Sequence, residues 1–112
     1  MTKENDPTYD MIMNWFQHKC IRCWHDAVTV HEIEYRSEGK KWWRLSNRVP
    51  LCNVCHEYIH SGKVSKYKAQ VELRQAQKDG IEFLWGERLG REYFELETGN
   101  PPMWRKKDVQ WD

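Results

Sequence analysis

The chain lacks any long apolar stretch. None of its 112 residues belongs to a run approaching the roughly 20 apolar residues that a membrane-spanning helix needs. The polar, acidic residues 1–7 do not resemble a secretory signal, and there are no internal repeats or low-complexity tracts. These absences argue against a membrane protein or a repeat architecture. They predict one small cytoplasmic domain.

Net charge is also small, at +1, and does not by itself indicate a nucleic-acid-binding protein. The charges are unevenly distributed, however. Residues 17–68 contain ten Lys or Arg against five Asp or Glu, whereas residues 1–16 and 69–112 are each net acidic. The basic surplus coincides with the segment that contains every cysteine, so we expect a polyphosphate partner to dock there. An ordinary solvated surface is the alternative.

The four cysteines form two pairs with Cys-x2-Cys spacing, here called the first knuckle (residues 20–23) and the second knuckle (residues 52–55). Such pairs let four thiolates converge on one tetrahedral zinc ion. Without a secretion signal, this spacing favours zinc over disulfides in a reducing compartment. We therefore predict a structural zinc ion at Cys20, Cys23, Cys52 and Cys55. A redox role for either pair, or His25 as a substitute ligand, is the alternative.

Apolar periodicity and turn residues predict an α+β domain. The expected elements are a helix over 9–18, a strand over 27–34, a returning strand over 42–45, an irregular stretch over 47–51, a helix from 52 or 53 to 61, a helix over 65–79 that Gly80 ends, and a further helix within 80–97. They divide the chain into a tail with a short helix (1–18), a cysteine-histidine core (19–62), a helical extension (63–97) and a C-terminal arm (98–112) anchored by Trp104 and Trp111.

Three histidines are spaced for a second metal site. His56 and His60 are four residues apart, so they project from one helix face, and His31 lies on the preceding strand. A strand histidine facing two helix histidines can hold one divalent metal beside a phosphodiester, and Asn47 can pin the intervening loop. The alternatives are ordinary surface histidines or substitute ligands for the zinc.

Together these pieces resemble the zinc-bearing HNH (ββα-metal) endonucleases, over about 41 of the 112 residues. The matching pieces are Cys20-x2-Cys23, Val30-His31-Glu32-Ile33, Asn47, Leu51-Cys52-x2-Cys55-His56 and His60. The resemblance implies a small zinc-stapled ββα-metal unit with flanking helices, and an enzyme that cuts DNA phosphodiesters with one divalent metal (Mg²⁺, Mn²⁺, Ni²⁺ or Zn²⁺). Many such enzymes are encoded by phages, which would make the compartment the host cytoplasm.

The resemblance also implies roles for single residues. Asn47 corresponds to the middle residue of the motif, His56 to the final histidine and metal ligand, and His60 to an additional ligand. Where the family usually has Asp-His or His-His, this chain has His31-Glu32, which puts His31 at the ligand position and Glu32 at the base position. A carboxylate with an ordinary pKa of about 4.3 is a weaker proton acceptor at neutral pH than imidazole. The pairing can instead slip by one residue, making His31 the base.

Candidate nucleic-acid contacts are Lys40, Lys41, Trp43, Arg44 and Arg48, since cations bind phosphates and aromatic rings stack on bases. DNA is the expected partner, with RNA left open, and no membrane is expected. Two alternatives remain: a catalytically degenerate zinc module that binds nucleic acid, for which Glu32 marks the lost base, and a zinc-stapled adaptor that docks on a larger protein. Nothing indicates sequence specificity, so a protein partner would supply the target sequence. A double-strand cut would need a homodimer or a second binding event on the other strand.

Overall fold

The computed structural model describes residues 8–34, 44–96, 99 and 101. Over these residues the chain forms helices and one two-stranded antiparallel sheet, which confirms the predicted α+β class. The elements are, in chain order, α1 (Tyr9–Trp15), β1 (Thr29–Glu32), a 3-10 turn (Leu45–Asn47), β2 (Arg48–Leu51), α2 (Asn53–His60), α3 (Lys66–Trp85) and α4 (Glu87–Tyr93).

The returning strand lies later in the chain than predicted. Leu45 belongs to the 3-10 turn and β2 begins only at Arg48, so the prediction of a strand that includes Leu45 and of an irregular stretch over 47–51 is wrong. Pro50 is the reason that the sequence did not indicate this strand, because a proline within a run of apolar residues argues against a sheet. The Pro50 carbonyl accepts a hydrogen bond from the Ile21 N–H of the first knuckle (3.1 Å). This edge of β2 therefore faces away from β1, and the missing N–H removes no bond from the strand pair.

The second knuckle opens α2. The Cys52 sulfur accepts a hydrogen bond from the Cys55 N–H at the start of the helix (3.4 Å). The helix ends at His60, two residues before Gly62, whose φ of +85° lies in the left-handed region. α2 therefore follows the predicted boundaries closely, and it places His56 and His60 one turn apart.

Helix α3 continues through the glycine that was expected to end it. It runs from Lys66 to Trp85, so the predicted end at Gly80 is wrong. A Cβ at Gly80 would lie 3.1 Å from Cη2 of Trp24 and 3.5 Å from Cε1 of Phe16. Gly80 therefore permits close packing against the region after the first knuckle, and the break comes at Gly86, with φ of +93°.

One hydrophobic core joins α1, the knuckles, the sheet and the later helices. The apolar stripe predicted on α1 faces this core, where Trp15 and Phe16 are 2% exposed or less. The Trp15 ring makes edge contacts with Trp85 (centroids 5.3 Å apart) and Tyr93 (5.0 Å). The helical extension is therefore packed into the same unit as the β-hairpin.

The predicted C-terminal arm, with Trp104 and Trp111, lies outside the described residues except for Gly99 and Pro101. The Gly99 carbonyl accepts a hydrogen bond from the Trp15 indole N–H (3.1 Å), so the chain meets the core at this point. Among the described residues, no helix combines the length and apolar character that crossing a membrane requires.

The packing at Gly80 yields a stability prediction. Gly80→Leu places a large side chain against Trp24 and Phe16, and overpacking of this kind costs about 1–3 kcal/mol. Urea unfolding should show this loss, whereas the exposed control Gln75→Leu on the same helix should change the free energy of unfolding by less than about 0.5 kcal/mol. A Gly80→Leu protein as stable as the wild type would contradict the close packing.

Candidate metal centre

Four cysteine sulfurs converge where the two knuckles meet. The first knuckle is closed by hydrogen bonds from the Trp24 N–H to the Cys20 carbonyl and from the Cys20 N–H to the His25 carbonyl (both 2.7 Å). The Sγ atoms of Cys23 and Cys52 lie 3.5 Å apart, and all four sulfurs lie within 4.8 Å of one another. Tetrahedral zinc with Zn–S bonds of about 2.3 Å needs sulfurs about 3.8 Å apart. The cluster therefore fits one structural zinc ion.

Polar neighbours contact these thiols. Arg22 donates a hydrogen bond through Nη1 to the Cys55 sulfur (3.5 Å), and Nδ1 of His25 lies 3.3 Å from the Cys23 sulfur. His25 thus contacts a cysteine instead of joining the sulfur cluster as a ligand. Burial raises the pKa of the Cys55 thiol to about 12, although the Arg22 hydrogen bond opposes this. Four adjacent thiolates require a bound cation to compensate their charge.

The three histidines form a second cluster. His31 projects from β1, while His56 and His60 project from α2, and one ring nitrogen from each of the three lies within 4.8 Å of the other two. The ring centroids are 5.7 Å apart for His31 and His56, 5.2 Å for His31 and His60, and 4.6 Å for His56 and His60. The structure therefore brings together the three residues predicted as ligands of the catalytic metal.

The three histidines are buried to different degrees, and burial affects the pKa of an imidazole. His31 is 6% exposed, and burial, reinforced by the nearby His60 and His56, lowers its pKa to about 4. Burial, followed by the charge of His60, also lowers the pKa of His56. At neutral pH these two imidazoles are uncharged, which is the form that binds metal. His60 lies at the exposed end of the cluster, so solvent and a ligand can approach from that side.

Asn47 closes the base of the loop between β1 and β2. Its side-chain oxygen accepts a hydrogen bond from the Glu34 N–H (2.8 Å), and its amide nitrogen donates to the Glu34 carbonyl (2.9 Å). The Asn47 carbonyl also accepts a hydrogen bond from the Ile33 N–H (2.8 Å). These three bonds hold the chain just beyond β1 against the start of β2, and so help to fix the strand that carries His31.

Three residues that sequence reasoning missed brace the same loop base. Arg74 of α3 donates hydrogen bonds to the Ser46 carbonyl and the Glu34 carboxylate. Gln77 donates to the Ser46 carbonyl (3.0 Å), and Tyr93 of α4 donates to a neighbouring carbonyl, that of Leu45 (3.0 Å). A signal existed for Gln77, because it lies on the apolar stripe of α3, where a polar residue indicates a buried hydrogen bond.

Glu32 lies on the other side of β1. Successive strand residues point to opposite faces, so Glu32 is directed away from the face that carries His31, and its neighbour across the sheet is Arg48. Opposite charges at directly paired strand positions attract each other. Among the described residues, the cluster of ligand atoms around His31 contains no carboxylate. Glu32 is thus close to the histidines in sequence but not grouped with them in space.

The candidate nucleic-acid contacts differ in whether the structure describes them and in how exposed they are. Lys40, Lys41 and Trp43 lie outside the described residues. Arg44 is half-buried. Arg48 is 2% exposed, and its Nη1 donates a hydrogen bond to the Thr8 hydroxyl (3.3 Å), which leaves almost no surface for a phosphate. Arg48 is therefore a residue of the protein interior in this structure.

Comparison with known proteins gives one short similarity. No family model matches the chain, and no solved structure matches it. The chain is 42% identical over 55 residues to a mitochondrial DNA mismatch repair protein mutS homolog of Sarcophyton glaucum, a match covering 45% of this chain. The match spans only 6% of the length of that protein, so it does not establish a family.

Removal of the Asn47 side chain should weaken the whole hairpin. Asn47→Ala leaves the Glu34 N–H and carbonyl without these partners, and unsatisfied backbone groups of this kind cost about 1–3 kcal/mol. Urea unfolding should show a loss of this size, and Asn47→Asp, which keeps the acceptor but loses the donor, should fall between. A free energy of unfolding unchanged in Asn47→Ala would contradict this role.

Proposed function

We propose that the protein is a metal-dependent endonuclease that hydrolyses DNA phosphodiester bonds. The observation that carries the proposal is the convergence of His31, His56 and His60 beside the four-cysteine cluster. The two clusters share helix α2, which carries Cys55, His56 and His60. Their residues follow the order and spacing of the HNH (ββα-metal) endonucleases that the sequence resembles. Helix spacing alone brings His56 and His60 together, but His31 reaches them from a separate element, β1.

The three imidazoles would hold one divalent ion and leave coordination positions open for water and a phosphate oxygen. Bound there, the ion would stabilise the charge that develops on the phosphate and on the leaving oxygen. Nitrogen donors favour Ni²⁺ and Zn²⁺, whereas Mg²⁺ prefers oxygen ligands. We therefore expect activity with Ni²⁺ or Zn²⁺ to exceed activity with Mg²⁺, with Mn²⁺ between them.

The attacking water must also lose a proton. By resemblance Glu32 occupies the base position, yet the strand directs it to the face opposite His31 and across from Arg48. This arrangement favours a base-assisting role through charge over direct proton abstraction. A bound ion would lower the pKa of the attacking water, whose proton would then pass to solvent. Asn47, bonded to Glu34, would keep the strand and its loop in the catalytic geometry.

DNA is the proposed substrate, for two reasons. The basic surplus over residues 17–68 surrounds the histidine cluster in sequence and suits a polyanion. The similar segment belongs to a protein whose name assigns it to DNA mismatch repair, which is consistent with a DNA partner but adds little weight over so small a part of that protein. RNA is a second polyanion that the same chemistry would accept.

A second candidate function is a catalytically degenerate zinc module that binds nucleic acid, or docks on a protein, without cutting. The position of Glu32 is the observation that favours it, since a carboxylate paired across the sheet with Arg48 is poorly placed to replace a lost histidine base. This candidate predicts DNA binding without cleavage in any metal, and no effect of Glu32→Ala on binding.

The proposed site handles one phosphodiester at a time, so we propose that the protein nicks DNA. A cut of both strands would require a homodimer or a second engagement. A partner protein would supply the target sequence. The reduced thiols that zinc needs are consistent with a cytoplasmic location, in the host cell if a phage encodes the chain.

Nicking of supercoiled plasmid tests the proposal. Wild type should nick with Ni²⁺ or Zn²⁺, and His31→Ala and His56→Ala should lose more than about 100-fold of the rate, because each lacks a metal ligand. The matched control is His18→Asn, since His18 is exposed and has φ of +62°, a conformation that Asn tolerates. This control should nick at the wild-type rate.

The same assay separates the two roles of Glu32. A direct base contributes about 10²–10⁴-fold, so Glu32→Ala and Glu32→Gln would both lose activity to that extent. A base-assisting carboxylate predicts a loss of about tenfold or less. With zinc content checked in every variant, unchanged nicking by both histidine variants would contradict the proposal, as would no nicking by wild type in any metal.

A further inference from the structure

A groove of about 470 Å³ runs along α3 beside the end of β1. Its lining includes Glu34 and five residues of α3: Tyr67, Gln70, Arg74, Gln75 and Lys78. Each of these α3 residues has another of them three or four positions away, so together they form one continuous stripe on the helix. We propose that this groove binds an unpaired segment of the DNA strand that leads away from the scissile phosphodiester. The inference rests on the endonuclease function proposed above.

The chemistry of the stripe suits single-stranded DNA. Tyr67 is 75% exposed, so its ring is available for a base to stack on it, and Lys78 can neutralise a phosphate. Surfaces that bind single strands without sequence preference combine an aromatic platform with cations in this way. A base within a duplex remains paired and would not reach the ring.

The charges of α3 also complement a phosphate backbone. Residues 61–78 contain five Lys or Arg and a single acidic residue, Glu72, which is ion-paired with Arg22. The carboxylate in the groove, Glu34, is ion-paired with Arg74. Residues 79–96 reverse the balance, with five acidic residues against two Arg. The groove itself is lined by two cations, Arg74 and Lys78, and one carboxylate, Glu34, so its lining carries a net charge of +1.

The groove begins within reach of the histidine cluster. Glu34 follows His31 by three residues, and three extended residues span at most about 11 Å. One DNA strand advances about 3.4 Å per phosphate along a duplex, so about three phosphates cover that distance. Glu34 lies beyond the end of β1 and, by the alternation of the strand, on the side opposite His31. A strand held at the three histidines would therefore pass round the end of β1 to enter the groove.

Fluorescence anisotropy of a short labelled single-stranded DNA, measured over a series of salt concentrations without added metal, tests the groove. Tyr67→Ala should weaken binding about tenfold, the usual cost of one lost stacked base, while Tyr67→Phe should bind as wild type does. Lys78→Ala should reduce the slope of log K against log salt by about 0.7. The control Arg88→Ala removes a cationic side chain of α4, which is 86% exposed. It should change neither the affinity nor the salt slope.

The proposal that DNA binds in the groove would be overturned if Tyr67→Ala kept the wild-type affinity and Lys78→Ala kept the wild-type salt slope. Both variants must retain zinc and thermal stability for this comparison. Absence of any binding by the wild type would also overturn it. The nicking assay keeps the two proposals apart. If nicking depends on the histidines but the groove variants bind DNA as the wild type does, only the proposed binding in the groove is refuted. Groove-dependent binding without nicking in any metal supports the groove and refutes the endonuclease.

Discussion

Four cysteine thiols must converge, and the geometry of the candidate site follows from that requirement. The first knuckle precedes β1, and the second opens α2 directly after β2, so a zinc ion bound there would fix the start of β1 to the junction between β2 and α2. His56 directly follows Cys55 in α2, and its ring meets that of His31 from β1. A closed four-sulfur site has no open position for chemistry. Its contribution is to hold the histidines together.

The four-cysteine cluster does not by itself account for the stability of the β1–β2 hairpin. Each strand is four residues long, and an isolated two-stranded hairpin is marginal in water. The remaining support comes from the loop base, where Asn47 bonds to Glu34, and from the helical extension, where Gln77 and Tyr93 bond to the adjacent turn. The extension therefore keeps the His31 strand in place from the side opposite the zinc. This explains why a small site is accompanied by two further helices.

The sequence was informative where chemistry depends on local spacing. The Cys-x2-Cys pairs and the His56-His60 repeat identified both clusters, since knuckles and helix faces follow from a few neighbouring residues. Local rules failed where tertiary packing overrode them: Pro50 lies in a strand because its edge faces the first knuckle, and Gly80 lies inside a helix because Trp24 packs against it. The bonds from the helical extension to the loop base join residues about 30 or more positions apart, beyond the reach of any local pattern.

The proposed function requires two separate metal ions, one held by sulfur and one by nitrogen. Crystals of the zinc-loaded protein soaked in Ni²⁺ would test it most directly, with anomalous diffraction recorded at the zinc and the nickel absorption edges. Zinc is expected among the four cysteine sulfurs, and nickel among the nitrogens of His31, His56 and His60. Absence of nickel at the histidines, or one ion shared by cysteine and histidine ligands, would contradict it.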